Sequence, residues 1–400
     1  MSAPYVSAPY VSAPYVSAPH ALRVLFVVHH AMDRNAGVGG ATLSLHDAMR
    51  ALGHEVHTYG YQDAFPDGPP KGHRLLFPWR VAAFLKREGH RYDVVDATSG
   101  DAWVWLARRS EGPRTEGPRI VTRAHGLEHT AHQALADQMA LEGTPLSVGY
   151  RLYSGWYRLW EVEQSVRHAD GVVMLNARDA HITRTRWHVP PERVLVSHNA
   201  VSDVLRALPA PTRASSDARP LRLAFVGSWI PRKGIACIAA VVEALLDRGI
   251  AFELDLLGTG LPTDRVLADI TPRAHHLIRV RPRYDQRELS SLLHDCHLLL
   301  HPSWAEGFSI GLVEGMACGL APLATDSGAS RELLATAAAG VFIDPPSVEA
   351  FVAAISALNG DRARLHTLRC GAHALATDTS WDQIARTTIE FYRSLGPARR

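Results

Sequence analysis

Glu306 and Glu314 flank the start of a predicted helix in the segment HPSWAEGFSIGLVEGMACGLAPLATDSGASRE, residues 301–332. An apolar run at 297–301 predicts a buried strand before the segment, and the apolar spacing at 310–318 predicts the helix. The free amides at a helix N-terminus bind anions. Carboxylates accept hydrogen bonds from hydroxyls, so the segment suits a ligand with both phosphate and hydroxyl groups, such as a nucleotide sugar.

The sequence Glu-Gly-Phe, followed by Glu-Gly-Met-Ala-Cys-Gly from Glu314 onward, resembles the E-x7-E signature of retaining glycosyltransferases of family 4, the glycosyl transferases group 1. The resemblance implies an α/β protein of the GT-B fold, in which two Rossmann-like, doubly wound domains face each other across a cleft. It also implies that Glu306 contacts the transferred sugar and that Glu314 holds the ribose hydroxyls. The residues between the two glutamates are expected to bind the donor: Gly307, Phe308, Ser309 and Ile310.

A second candidate phosphate site follows a predicted strand at 221–226. Arg232 and Lys233 stand where the next helix is predicted to start, so cations and free amides can share a diphosphate. The family motif Gly-Arg-x-x-x-x-Lys-Gly matches at Lys233, one of only three lysines in the chain, but Ser228 occupies the arginine position. We expect Arg232 to supply the missing charge, the alternative being a solvated turn.

Arg283 follows a further predicted strand, residues 277–280, and is a candidate contact to the base or a phosphate. The resembled family contacts the base near this place through a Phe-x-Gly pattern that the sequence RPRY at 281–284 lacks. The sequence therefore leaves the identity of the base open.

The N-terminal half begins with a strand at 22–28, a glycine-containing loop and a helix predicted from about 41 to 52. A dinucleotide fingerprint G-x-G-x-x-G would need glycine where Thr42 stands, which disfavours a dehydrogenase. In the resembled family a Gly-Gly at this place lets the backbone approach the donor phosphates, and Gly39 and Gly40 match it. The alternative is that both are ordinary turn glycines.

His125 follows a predicted strand at 119–123, and residues just past the carboxyl end of a strand face the ligand crevice of open α/β sheets. The family has a His-Gly here whose histidine lies near the transferred sugar, and His125-Gly126 matches it. Glu128 and His129 are weaker candidates for the acceptor side.

The length of 400 residues suits two domains. We predict a disordered tail of Ser-Ala-Pro-Tyr-Val repeats at 1–20 and an N-terminal, acceptor-side domain at 21–206. A Pro-, Ala- and Ser-rich linker at 207–220 leads to a nucleotide-sugar domain at 221–378. An amphipathic helix at 379–400 is expected to pack back onto the first domain.

Bulk properties exclude several classes of protein. The formal net charge of +2 gives no indication of nucleic-acid binding. The four cysteines are too widely spaced for a metal or redox site, which favours buried thiols in a reducing cytoplasm. No apolar run is long enough for a membrane span. The Trp- and Arg-rich segment 151–167 is expected to be a core-packing helix. The alternative is an interfacial helix for peripheral contact with an inner membrane face that carries a lipid-linked acceptor.

We therefore expect a retaining glycosyltransferase that moves a hexosyl group from a nucleotide-diphosphate sugar to an unidentified acceptor. His125, Glu306 and Lys233 are the candidate catalytic residues, and no metal or other cofactor is expected because cationic side chains and amides replace it. An epimerase or phosphorylase on the same fold and a non-catalytic nucleotide-sugar-binding protein remain alternatives. A glycosidase also needs two carboxylates, but it needs no phosphate site.

Overall fold

The computed structural model describes residues 20–30, 32–110, 117–141, 143, 145–212, 220–335, 338–344 and 347–396. The predicted repeat tail, apart from His20, lies outside the described residues, and so do residues 213–219 of the predicted linker.

The N-terminal half is built on one parallel sheet. Its strands are β1 (Arg23–Val28), β2 (Glu55–Gly60), β3 (Val94–Thr98), β4 (Arg119–Ala124), β5 (Gly171–Met174) and β6 (Val194–Val196). They lie in the order β2-β1-β3-β4-β5-β6, and every neighbouring pair is parallel. Helices cover both faces, so the inner strands are buried along nearly their whole length.

The helices of this half connect successive strands. They are α1 (Gly37–Ala51), α2 (Tyr61–Ala64), α3 (His73–Glu88), α4 (Trp103–Ser110), α5 (Glu128–Leu141), α6 (Val148–Leu152), α7 (Arg158–His168), α8 (Ala177–Arg186) and α9 (Asp203–Arg206).

The segment 151–167 differs from the single core-packing helix that its sequence predicts. A π-helical turn, Tyr153–Tyr157, separates α6 from α7 and changes which residues share a face. Val162 and Val166 are buried as expected, but Trp156 is 68% exposed. The aromatic side chains of this segment are therefore only partly buried in the core.

A second parallel sheet forms the C-terminal half. Its strands are β7 (Leu221–Val226), β8 (Phe252–Leu257), β9 (Ile278–Arg281), β10 (Leu298–His301), β11 (Ala321–Thr325) and β12 (Val341–Ile343). Their order is β12-β11-β10-β7-β8-β9. The surrounding helices are α10 (Ile235–Asp247), α11 (Thr263–Leu267), α12 (Leu289–Leu293), α13 (Ile310–Ala317), α14 (Ser330–Leu334), α15 (Val348–Gly360), α16 (Arg362–Asp378) and α17 (Trp381–Ser394). Two six-stranded parallel sheets, each covered by helices, confirm the predicted α/β class.

The last helix, α17, packs on the first sheet rather than on the second. Ile384, Ile389 and Tyr392 belong to the apolar core that surrounds β1. The buried Tyr392 hydroxyl donates a hydrogen bond to Asp96, which also forms a 2.7 Å ion pair with Arg123. A buried ion pair is costly unless its remaining hydrogen-bonding positions are filled, and Tyr392 fills one of them.

Among the described residues, no helix combines the length and the apolar character that crossing a bilayer requires.

Candidate functional site

One cleft of about 920 Å³ lies between the two sheets. Loops that follow the carboxyl ends of strands from both halves line it, as expected for ligand sites in open parallel sheets. Of the twelve catalytic and donor-binding candidates, eleven line this cleft: Gly40, His125, Arg232, Lys233, Arg283, Glu306, Gly307, Phe308, Ser309, Ile310 and Glu314. Gly39 is the one candidate of these twelve that does not line it.

Glu306 and Lys233 form the charged centre of the cleft. Lys233 Nζ lies 2.7 Å from Glu306 Oε1, and Arg232 Nη1 lies 3.4 Å from Glu306 Oε2. Arg232 also donates a 2.6 Å hydrogen bond to the carbonyl of Ala305. The three side chains come from loops after β7 and β10, which are neighbours in the sheet, so the fold joins residues more than 70 positions apart.

The charge state of this cluster follows from its surroundings. Burial alone would raise the pKa of the Glu306 carboxyl, but the Lys233 and Arg232 charges outweigh burial and hold the pKa below its ordinary value. Two cations therefore face one carboxylate, which leaves a net positive charge for an anionic ligand. Lys233 is 13% exposed and Arg232 is 44% exposed, so both can reach a ligand in the cleft.

The N-terminus of α13 opens beside this cluster. Ser309 is the N-cap of the helix, but its hydroxyl makes no capping hydrogen bond and has no hydrogen-bond partner within the described structure. The first-turn amides of α13 are therefore open to an anion. The helix sits tight against β7, since a Cβ added at Gly311 would lie 2.5 Å from the carbonyl oxygen of Val226.

Glu314 lies one turn into α13 and is 5% exposed. Gln286 Nε2 donates a 2.7 Å hydrogen bond to Glu314 Oε1. Burial raises the pKa of Glu314 to about 7, and the Gln286 hydrogen bond only partly offsets the effect. Near pH 7 the carboxyl can therefore take either protonation state.

His125 approaches the cleft from the other half. Burial and the nearby Arg123 hold the pKa of its imidazole well below the ordinary value, so the ring is neutral at pH 7. A neutral imidazole can orient a sugar hydroxyl as donor or acceptor without adding charge.

The prediction of a glycine-containing loop before a helix that starts near residue 41 is wrong, because α1 already starts at Gly37. Gly39 is buried in the first turn of α1. Gly40 is required by packing, since a Cβ there would lie 2.5 Å from the backbone oxygen of Arg34. The helix end itself borders the cleft, so any contact to a donor phosphate would come from this first turn rather than from a flexible loop.

The two halves touch directly at Gly307. A Cβ added there would lie 2.1 Å from the carbonyl oxygen of His125 and 2.4 Å from Gly126 Cα. Asn176 Nδ2, from the end of β5, donates a 3.0 Å hydrogen bond to the Gly307 carbonyl. The closed arrangement of the cleft therefore depends on the absence of a side chain at Gly307.

We expect Gly307→Ala to lower sugar transfer at least tenfold, because the two backbones must move apart and displace the catalytic groups by a fraction of an ångström or more. Steady-state kinetics would measure the loss. Gly360→Ala is the matched control, since a Cβ at Gly360 meets nothing within 4 Å. A Gly307→Ala enzyme with the kinetics of the parent would contradict the role assigned to this contact.

The sequence analysis missed a polar cluster on the first half. His29 Nδ1 lies 2.8 Å from an oxygen of the buried Asp101, and Arg158 Nη2 lies 3.3 Å from Glu128 Oε1. His29 and Arg158 line the cleft. His29 directly follows β1, so the strand-end position that marks His125 would also have marked it. Arg158 gave no such signal.

Glu128 borders the cleft as predicted, whereas His129 packs edge-on against Trp187, with ring centroids 4.8 Å apart. Burial lowers the pKa of His129 to about 4. The weaker acceptor-side assignment therefore fits Glu128 better than His129.

Two family models match the chain. The model "Glycosyltransferase Family 4" matches residues 36–204, and "Glycosyl transferases group 1" matches residues 220–361. The chain is 25% identical over 325 residues to the D-inositol 3-phosphate glycosyltransferase of Streptomyces bingchenggensis, covering 76% of this chain and 68% of the relative.

Solved structures share the architecture. Sucrose-phosphate synthase from Thermosynechococcus elongatus superposes with a TM-score of 0.71 at 17% identity, covering 94% of this chain and 99% of that one. Anabaena HepE, solved in complex with UDP and glucose, gives a TM-score of 0.63 at 17% identity, with 92% and 98% coverage. These likenesses show the GT-B fold. With a family model on each half, the chain belongs to glycosyltransferase family 4 and is a glycosyltransferase.

Proposed function

We propose that this glycosyltransferase moves a hexosyl group from a nucleotide-diphosphate sugar to a hydroxyl of an acceptor, with retention of configuration at the sugar carbon. The observation that carries the proposal is the meeting of Lys233, Arg232 and the open N-terminus of α13 around Glu306 in one cleft. A hydrolase or an isomerase without a phosphate leaving group has no need for such a cationic cluster. The structure of HepE with UDP and glucose supports a nucleotide-sugar donor on this fold.

In the proposed complex Glu314 accepts hydrogen bonds from the ribose hydroxyls, and Arg283 contacts the base or a phosphate. Lys233, Arg232 and the amides of residues 308–310 stabilise the negative charge that develops on the diphosphate as the glycosidic bond breaks. Lys233 then shares its charge between Glu306 and the phosphate.

Glu306 and the neutral His125 orient the sugar in this mechanism. The acceptor oxygen bonds to the sugar carbon on the face that the phosphate leaves, and the departing phosphate oxygen takes the acceptor's proton. No protein nucleophile is required. Because side-chain cations and amides offset the diphosphate charge, we propose that the reaction needs no metal ion.

A thermal-shift panel of uridine-, guanosine- and adenosine-diphosphate sugars tests the donor class, since a ligand that binds only the folded state raises Tm. Release of nucleoside diphosphate that depends on an added acceptor supports transfer. Binding without turnover for every acceptor would favour a sugar-nucleotide-binding protein, and turnover without an acceptor would favour an epimerase.

Transfer activity is expected to survive excess EDTA, whereas loss of activity would reveal a required metal ion.

A further inference from the structure

Large apolar side chains are exposed on one part of the first half. Seven of the ten that are exposed in the described part of the chain lie on α3 or between α6 and the start of α7. We call them the tryptophan surface: Leu75, Leu76, Trp79, Val148, Leu152, Trp156 and Trp160. Their exposed fractions run from 40% for Trp160 to 68% for Trp156. Contiguous exposed apolar area of this kind marks an interaction site.

Ring contacts join the two parts of the tryptophan surface. The ring of Trp79 on α3 lies 6.0 Å from that of Trp103 on α4, and Trp103 lies 4.8 Å from Trp160 on α7. Val148 and Leu152 are four residues apart on α6 and so share one side of it, and Trp156 lies in the π-helical turn that follows. The ring contacts therefore join Trp79 to Trp160, and the exposed residues of α6 and the π-helical turn lie on the segment that leads directly into α7.

The exposed charges on this face are mostly basic. Arg74, Arg80, Lys86 and Arg87 are exposed on α3, whose one acidic residue, Glu88, is half-buried and pairs with Arg91 at 3.1 Å. Arg151 is exposed on α6, and residues 145–160 contain neither Asp nor Glu. The guanidinium carbon of Arg108 lies 5.3 Å from the ring centroid of Trp79. Apolar and aromatic side chains interleaved with Arg and Lys are typical of protein faces that lie on anionic lipid.

A cavity of about 610 Å³ behind α3 adds to this pattern. Arg80, Arg87 and Arg91 line it together with His57 and Tyr92. Three guanidinium groups in one concave site suit the phosphate of a lipid headgroup. Asp63 is the one acidic residue that lines it.

The tryptophan surface adjoins the acceptor side of the cleft. Trp156 and Trp160 are exposed, while Arg158, between them in sequence, lines the cleft. This short stretch of α7 and the preceding turn thus reaches both the solvent face and the site.

We propose that the tryptophan surface docks the enzyme on the surface of a bilayer that contains anionic phospholipid. The indole rings and Leu side chains enter the headgroup region, and the surrounding Arg and Lys residues bind lipid phosphates. The cleft mouth is then held next to the bilayer, where a lipid-linked acceptor would be presented. The docking itself goes beyond the proposed transfer reaction and does not depend on it.

Vesicle co-sedimentation of the full chain tests the proposal without donor or acceptor. We expect binding to vesicles of phosphatidylglycerol and phosphatidylcholine in equal amounts, and at least tenfold weaker binding to phosphatidylcholine alone. Raising the salt from about 0.1 M to about 0.5 M is expected to weaken binding, because the Debye length shortens. The double variant Trp79→Glu/Trp156→Glu is expected to lose at least tenfold in vesicle affinity.

Val204→Glu is the matched control, since Val204 is a 57% exposed apolar residue outside the tryptophan surface. It is expected to bind vesicles like the parent. The side chains of Trp79, Trp156 and Val204 are each at least 49% exposed, and a thermal melt of each variant would verify folding. Absence of vesicle binding, equal loss in both variants, or a dimer in solution that only Trp79→Glu/Trp156→Glu dissociates without any vesicle binding would each overturn the proposal.

Discussion

Lys233→Ala is expected to lower kcat/KM for sugar transfer about 100-fold, the scale seen when one preorganised group that stabilises developing charge is removed. Lys233 Nζ is 2.7 Å from Glu306, and its ammonium is the less exposed of the two cations in the cluster. Its removal takes away a positive charge that would stabilise the diphosphate. Arg232, 3.4 Å from Glu306, is then left as the partner of that carboxylate. Steady-state kinetics with the donor identified by the thermal-shift panel would measure the loss.

The lysine content of the chain provides a matched control. Lys86 is one of the two other lysines and is exposed on α3, away from the cleft. In a lipid-free assay Lys86→Ala should keep the kinetics of the parent. Lys233→Arg should retain more activity than Lys233→Ala, because charge is kept while geometry is not. Turnover of Lys233→Ala within twofold of the parent would remove Lys233 from the proposed mechanism.

Donor affinity is expected to fall as the pH drops below about 7, by up to tenfold per pH unit. The reason is the buried carboxyl of Glu314, whose pKa burial raises to about 7. The ionised carboxylate accepts hydrogen bonds from two ribose hydroxyls more strongly than the neutral acid, in which one oxygen carries a proton, so below this pH the group must lose a proton to bind tightly. Above about pH 8 the carboxyl is already ionised and the affinity should level off. Calorimetric titration from pH 5.5 to 8.5 would measure the dependence.

A nucleotide sugar is the appropriate probe, because its diphosphate does not titrate in this range. At pH 6 the parent should release a proton on binding, which is detected as a binding enthalpy that varies with the ionisation enthalpy of the buffer. Glu314→Gln should bind more weakly at pH 8 and show no proton release. A parent enzyme with pH-independent affinity and no proton release would show that Glu314 does not bind the ribose in its ionised form.

The sequence was sufficient to predict the fold class, and most of the candidate residues that it marked line the cleft. Strands appear as short apolar runs because parallel sheets are covered on both faces, and their carboxyl ends can be read directly. Three candidates lie just after such ends: His125, Lys233 and Glu306. The fourth, Glu314, lies in the helix that follows β10. Parallel topology places these positions at one edge, so their meeting in a cleft follows from local patterns.

Other features depended on tertiary contacts that no local pattern reports. The hydrogen bond from Gln286 to Glu314 and the pair of His29 with Asp101 join residues 28 and 72 positions apart. The π-helical turn at Tyr153–Tyr157 rotated Trp156 outward, which a regular helical period does not anticipate. The glycines at 37–40 were predicted to form a loop because glycine favours turns, yet they form the first turn of α1, where Gly40 lies close against the backbone of Arg34.

The position of α17 also bears on how the protein is made. The hydroxyl of Tyr392 reaches Asp96 across 296 positions of sequence, and α17 completes the apolar core around β1. During translation the first sheet emerges early, but the part of its core that α17 covers stays open until α17 has left the ribosome. The N-terminal half is therefore complete only after the strands of the second sheet have been synthesised.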